Sequence, residues 1–158
     1  MEIMLMQARI KNPAMLIPEA MGPLQALAAL IRNSPVPQKT IGLCHLRASQ
    51  INGCAVCLDL HRRHMKGDET EERLFALPAW RDAPFFTDSE RAALGLTESL
   101  TRLSESEDRV PDAVWNEAAR HFDERELASL VIAITTINTF NRINVATRQV
   151  AGAQPWEK

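Results

Sequence analysis

Cys54 and Cys57 stand three residues apart, and His61 and His64 follow four and seven residues after the second cysteine. On a helix turning about 100° per residue, these four side chains fall within an arc of roughly 80° and share one face. Asp59, Arg62, Arg63 and Lys66 lie on the other side, so the sulfurs and imidazoles belong to the less polar, inward face. Two thiols at this spacing can close a disulfide, and an imidazole one turn from Cys57 can take its proton. Cys54, at the start of the helix, meets the partial positive charge of unpaired amide groups, which favours its thiolate. The chemistry that follows is attack on an O–O or S–S bond. A peroxide converts one cysteine to a sulfenic acid, the other condenses with it to a disulfide, and an external reductant resets the pair. These arguments make both thiols reactive and do not order them.

Other uses of the same residues carry less. Two helical cysteines can be small buried hydrophobes and His61 a satisfied core residue, but that leaves their joint spacing without a reason. Zinc is the sharper rival. Cys54, Cys57, His61 and His64 are ligand types, yet four ligands crowded on one straight helix face cannot surround a metal tetrahedrally, and no second C-x-x-C or H-x-x-x-H follows. No metal site is expected. Cys44 stands alone in the preceding helix and is expected to pack the core, and His121 to sit as a favourable charge near a helix C-terminus.

The elements that must hold this site are read from periodicity and breakers. Residues 1–14 form an arm or strap ending at Asn12-Pro13. Pro18 to Ile31 carries Leu24, Leu27, Ala28 and Ile31 at the spacing of a core-facing helix, and the Asn33 to Pro37 segment with its two prolines ends it. A second helix runs from Gln38 to Ile51 and partly buries Ile41, Leu43 and Leu46. Asn52-Gly53 turns the chain into the cysteine helix, Cys54 to Lys66, stopped at Gly67. Asp68 and Glu71 have capping spacing for a short helix ending at Leu77-Pro78. Thr87 and Glu90 form a capping box for a helix with Leu94, Thr97, Leu100 and Leu103 down one side. Pro111 opens a helix through Arg120. Asp123 with Glu126 caps the last long helix, where Leu127, Leu130, Val131, Ile134, Ile137 and Asn138 share a face. No internal repeat and no Gly-rich phosphate loop occurs, and no cofactor is expected.

The whole chain is consistent with that plan. Its 158 residues fit a single domain, 1–158, with a core of about 15–150. With 46% hydrophobic and 24% charged residues it should pack a core. It has 21 Ala and 17 Leu against 7 Val and no Tyr, a balance that favours helix over sheet. A net charge of −2 gives no long-range field for nucleic acid or an anionic membrane. The N-terminus shows no basic lead-in or cleavage site, and no stretch approaches the roughly 20 apolar residues of a bilayer span. A cytoplasmic protein is expected, whose close cysteine pair in a reducing compartment points to redox use.

The run Leu46-Arg47-Ala48-Ser49-Gln50-Ile51-Asn52-Gly53-Cys54-Ala55-Val56-Cys57-Leu58-Asp59-Leu60-His61 resembles the signature of the alkyl hydroperoxidase D-like branch of the carboxymuconolactone decarboxylase family. Arg73-Leu74-Phe75, Trp80-Arg81, the helix from Phe86-Thr87 to Glu98, and Ile137 to Arg142 resemble later segments of the same family, so the likeness covers about residues 20–150. It implies an all-α, compact multi-helix bundle, thiol-dependent peroxidase activity, no metal, and a homo-oligomer, trimer or hexamer. It also orders the thiols: Cys57 attacks the peroxide, Cys54 resolves, and His61 serves the proton relay. One position departs from the pattern. The Glu usually found twelve residues before the first cysteine is Gly42 here, and His45, one turn further along the same helix, is a candidate to reach the site in its place. Family decarboxylases proper lack the C-x-x-C pair, so a lactone decarboxylase is not expected.

The expected function is therefore a hydroperoxidase using Cys57, Cys54 and His61, with a hydroperoxide substrate and recycling by a dithiol reductant or peroxiredoxin system. The alternative is a redox-sensing or structural oligomer with little turnover, which the missing Glu favours.

Overall fold

The computed structural model describes residues 6–154, which hold eight α-helices and no strand. They are α1 (Pro13–Leu16), α2 (Pro18–Arg32), α3 (Gln38–Asn52), α4 (Ala55–Met65), α5 (Glu71–Ala76), α6 (Asp88–Thr101), α7 (Asp112–His121) and α8 (Glu124–Thr147). Short 3-10 turns follow α5 at Leu77–Ala79 and α6 at Leu103–Glu105. The fold is all-α, as composition and periodicity predict. Residues 1–5 of the expected arm lie outside the described residues; its remainder is a strap bound to the end of α8. Arg9 donates from its backbone to the Thr147 carbonyl at 2.9 Å and from Nη1 to that of Ala146 at 3.0 Å.

Helix α3 is the axis of the bundle, packed on α4, α6 and α8. Ile41 and Cys44 from α3, Ala93 and Leu96 from α6, and Leu130 and Ile134 from α8 form one apolar cluster. Leu43 and Leu46 join Leu77, Trp80, Phe86 and Leu94 in a second. Cys44 is fully buried there, and burial pushes its thiol up to about 12, so it is the inert packing residue its position suggested. Glu98, buried on α6, gathers Arg47 at 2.7 Å, Arg81 at 2.6 Å and Trp80 Nε1 at 3.0 Å. Burial alone would raise its carboxyl, but hydrogen bonds from Arg81, Trp80 and Arg47 hold it below the usual range.

The capping boxes at Thr87/Glu90 and Asp123/Glu126 form as the sequence predicts. Several local expectations give way to their surroundings. Thr70 rather than Asp68 caps α5, its hydroxyl accepting from the Arg73 amide, because residues 65–69 form a turn at Gly67, φ 92°, with the Asp68 and Glu69 amides on the Met65 carbonyl, and the helix starts after it. Leu103 lies beyond the end of α6 and is 42% exposed, so it does not extend that helix's apolar side. Pro111 is the residue before α7 and its cap, not its first turn. Helix α4 stops at Met65, and Leu27 of α2 is 37% exposed instead of facing the core. No helix among the described residues is long and apolar enough to cross a membrane.

Candidate active site

The turn between α3 and α4 sets the site. Gly53 takes φ 65°, the left-handed conformation that costs a glycine little, and the Cys54 amide then bonds the Ser49 carbonyl at 3.0 Å. Cys54 is thereby the N-cap of α4, and its Sγ accepts from the Cys57 backbone N–H at 3.3 Å. One helical turn joins the two cysteines as a disulfide, with Cα atoms 5.3 Å apart. An amide network pins this turn to α8. Asn52 donates to Asn138 and Asn141, each at 2.9 Å, and Asn141 donates to Ser49 Oγ at 3.0 Å.

The two sulfurs differ in what they border. Cys57 lines an open cavity of about 680 Å³, walled largely by apolar residues that include Met21, Leu24, Ile41, Phe140 and Ile143. Cys54 lines a shallow cleft of about 290 Å³ on the other side, next to Arg148 and Gln149. Phe140 and Ile143 fall off the main apolar stripe of α8 in sequence, and this cavity is where they go.

His61 borders the Cys57 cavity, as its spacing predicts, and His45 of α3 joins it there, with ring centroids 5.3 Å apart. Both rings are partly covered, and the Nε2 atom of each is sealed and without a hydrogen-bond partner among the described residues. Burial pushes His45 down to about 4, opposed by a backbone hydrogen bond to Ala133. Burial, then the neighbouring His45 and His64, push His61 down to about 3. In the disulfide form both imidazoles are therefore neutral at pH 7. His64 does not join them: it is exposed at the cavity rim, although Met65 beside it in sequence is buried. His121 ends α7, with Nε2 3.3 Å from Glu117 Oε1. Among the described residues no group of three or more His, Cys, Asp or Glu could hold a metal ion.

Gly42 also borders the cavity, and the Met65 side chain occupies the space beside it. A Cβ at position 42 would lie 3.2 Å from Met65 Cε and 3.3 Å from Sδ. Glutamate there would have to push that buried thioether aside. Sequence reasoning missed Met65, and it missed Asn144, whose Nδ2 lies 3.4 Å from Cys57 Sγ. A signal existed. Asn138, Asn141 and Asn144 recur every three residues in the second half of α8, although asparagine is a poor helix former without a specific partner.

Fold and site together define an all-helical protein that sets a C-x-x-C pair at a helix start beneath a cavity. Residues 18–99 match the carboxymuconolactone decarboxylase family, and the chain belongs to that family. The uncharacterized protein YdfG of Bacillus subtilis is 37% identical over 130 residues, 82% of this chain and 87% of that one. The uncharacterized protein YnjA of Escherichia coli is 32% identical over 118 residues, 73% of this chain and 62% of that one. Among solved structures, a protein of unknown function from Agrobacterium tumefaciens, for which an AhpD-type antioxidant defence role has been suggested, superposes with a TM-score of 0.86 at 35% identity. The match covers 94% of this chain and 100% of that one.

Proposed function

We propose that this protein is a thiol-dependent hydroperoxidase. The observation that carries the reading is a disulfide-forming pair of which one sulfur, Cys57, borders a largely apolar cavity alongside two neutral imidazoles. Family membership and the structural likeness to the Agrobacterium protein support an antioxidant role. In the reaction, the Cys57 thiolate attacks the distal oxygen of ROOH. An S–O bond forms, the O–O bond breaks, and the alkoxide leaves as ROH with the proton given up by the thiol. The Cys54 thiolate then attacks the Cys57 sulfur and releases the hydroxyl as water. Two sulfurs are oxidised to one disulfide, and a dithiol carrier returns the two electrons by exchange. His61, with His45 beside it, is the proton acceptor of the reduced site. The apolar walls suit an organic hydroperoxide over hydrogen peroxide.

With cumene hydroperoxide and a dithiol such as dihydrolipoamide, catalytic amounts of the purified protein should consume one peroxide per dithiol oxidised, well above the protein-free rate. A rate equal to that control would leave the second reading, a redox-sensing protein of little turnover. Gly42 with Met65 against it is the observation that favours that alternative, because the family's relay carboxylate has no counterpart there.

We place the protein in a reducing, cytoplasmic setting and read it as a closed homo-oligomer, trimer or hexamer. Met15 and Leu16 of α1, Ile17 after it and Leu30 of α2 are 47%, 52%, 58% and 55% exposed, apolar surface that a second copy would cover. Light scattering on the gel-filtered protein should give a mass several times the 17.7 kDa of one chain. A monomer mass at micromolar concentration would refute the assembly.

A further inference from the structure

Asn144 hands its amide N–H to the Cys57 sulfur through an orientation the chain itself fixes. The Ala14 backbone N–H, which can only donate, meets Asn12 Oδ1 at 3.0 Å. That leaves Asn12 Nδ2 to donate to Asn144 Oδ1 at 3.4 Å, and Asn144 Nδ2 to face Cys57 Sγ at 3.4 Å. Turning either amide over would break a contact at each end of the relay. Asn12 is nearly buried and sits on the strap, which Gln149 Nε2 also ties to α8 through the Ile10 carbonyl at 3.0 Å. The donor at the sulfur is thus held from both ends of the described chain.

We propose that Asn144 is a catalytic residue that stabilises the Cys57 thiolate and the sulfenate formed from it, and that Asn12 is the positioning residue that aims it. The proposal rests on Cys57 being the reacting sulfur. Its physical basis is that sulfur gains a full negative charge on reduction in a pocket that disfavours charge. A hydrogen bond to an ionised group is stronger than one to a neutral group. An amide donor stabilises that charge without adding a charge of its own to the pocket. The same donor already reaches the sulfur in the disulfide.

The ionisable groups around this sulfur are His45 on α3 and His61 on α4, with His64 at the rim. Arg32 of α2, Lys39 of α3, and Asp68 and Glu69 after α4 border the far parts of the cavity, and Arg148 borders the cleft beside Cys54. All of them remain in the variants below, so a change in titration between variants reads the amide.

The test is the pH dependence of iodoacetamide alkylation at Cys57 in reduced Cys54→Ser protein, followed by mass spectrometry. It requires no peroxide, so it stands or falls apart from peroxidase turnover. Asn144→Leu should move the midpoint up by about one pH unit, the size expected for losing one hydrogen bond to a charged sulfur. Asn144→Asp should move it at least as far, since a carboxylate offers charge of the wrong sign. Asn12→Ser keeps an acceptor for the Ala14 amide but removes the tie to Asn144; it should give a smaller upward shift at an unchanged melting temperature. Asn144→Ala serves in place of the leucine variant if that one does not fold. An unchanged midpoint in whichever Asn144 variant folds would overturn the proposal and leave the amides as a strap fastening only.

Discussion

Replacing Cys57 with serine should lower hydroperoxide turnover on the order of 10³-fold or more, because a serine hydroxyl supplies almost no anion at neutral pH. Cys54→Ser should also stop multiple turnover, but for another reason and with another signature. Its Cys57 still borders the large cavity, so it should consume one equivalent of peroxide and then hold a sulfenic acid. Dimedone followed by peptide mass spectrometry should find that adduct at Cys57. The Cys57→Ser protein should give neither the single turnover nor an adduct, although its Cys54 is the sulfur at the helix N-terminus. Two effects compete here. The helix dipole favours the Cys54 thiolate by about 0.3–1 kcal/mol. Access favours Cys57, which borders the larger, apolar cavity, over Cys54 in its smaller cleft. A stoichiometric burst with an adduct at Cys54 in the Cys57→Ser protein would show that the dipole wins and would reverse the order of the two thiols.

How much of this could be read from sequence follows from how local each feature is. The cysteine pair and His61 lie within eight residues on one helix, so a helical wheel brings them together before any packing is known. The capping boxes at Thr87 and Asp123 are equally local, each made by residues three apart. Features needing two distant segments were out of reach, or, like His45, could only be named as candidates. His45 meets His61 only because α3 and α4 pack against each other, and the wheel of either helix alone does not say so. Asn144 reaches Cys57 across 87 residues of chain, and Asn12 reaches Asn144 across 132. The Asp68 cap failed because the chain turns at Gly67 through residue 69, so that the helix begins two residues later than the pattern places it. His64 failed for a different reason. The helix face it shares with Cys57 looks into an open cavity instead of a packed neighbour, so sharing a face did not bury it.

The two imidazoles, with their sealed Nε2 atoms, should also make the oxidised protein sensitive to mild acid. Burial lowers His45 to about 4 and His61 to about 3, from about 6.5 for each in the unfolded chain. Between those values the unfolded state binds protons that the folded state refuses, so stability is fully present above pH 6.5 and falls as pH drops towards 4 and 3. At pH 5 each histidine should have lost about 2 kcal/mol, and the two together about 4, a large part of the 5–15 kcal/mol that holds a typical domain. The depressed carboxylates Glu90 and Glu98 add their losses only at lower pH, below the 4.5 of an ordinary glutamate. Urea unfolding at one protein concentration, at pH 7 and at pH 5, isolates the histidines. His45→Gln and His61→Gln should each recover about half of the difference between the two pH values, whatever their stability at pH 7. A wild-type midpoint unchanged between pH 7 and 5 would mean that the folded protein hydrates these rings and accepts their protons, so that the site would not be the dry pocket whose sulfur needs a neutral donor. The reduced protein should lose less over the same range if a Cys57 thiolate forms beside His61, since a negative sulfur raises the imidazole it faces and gives the folded state a reason to keep the proton.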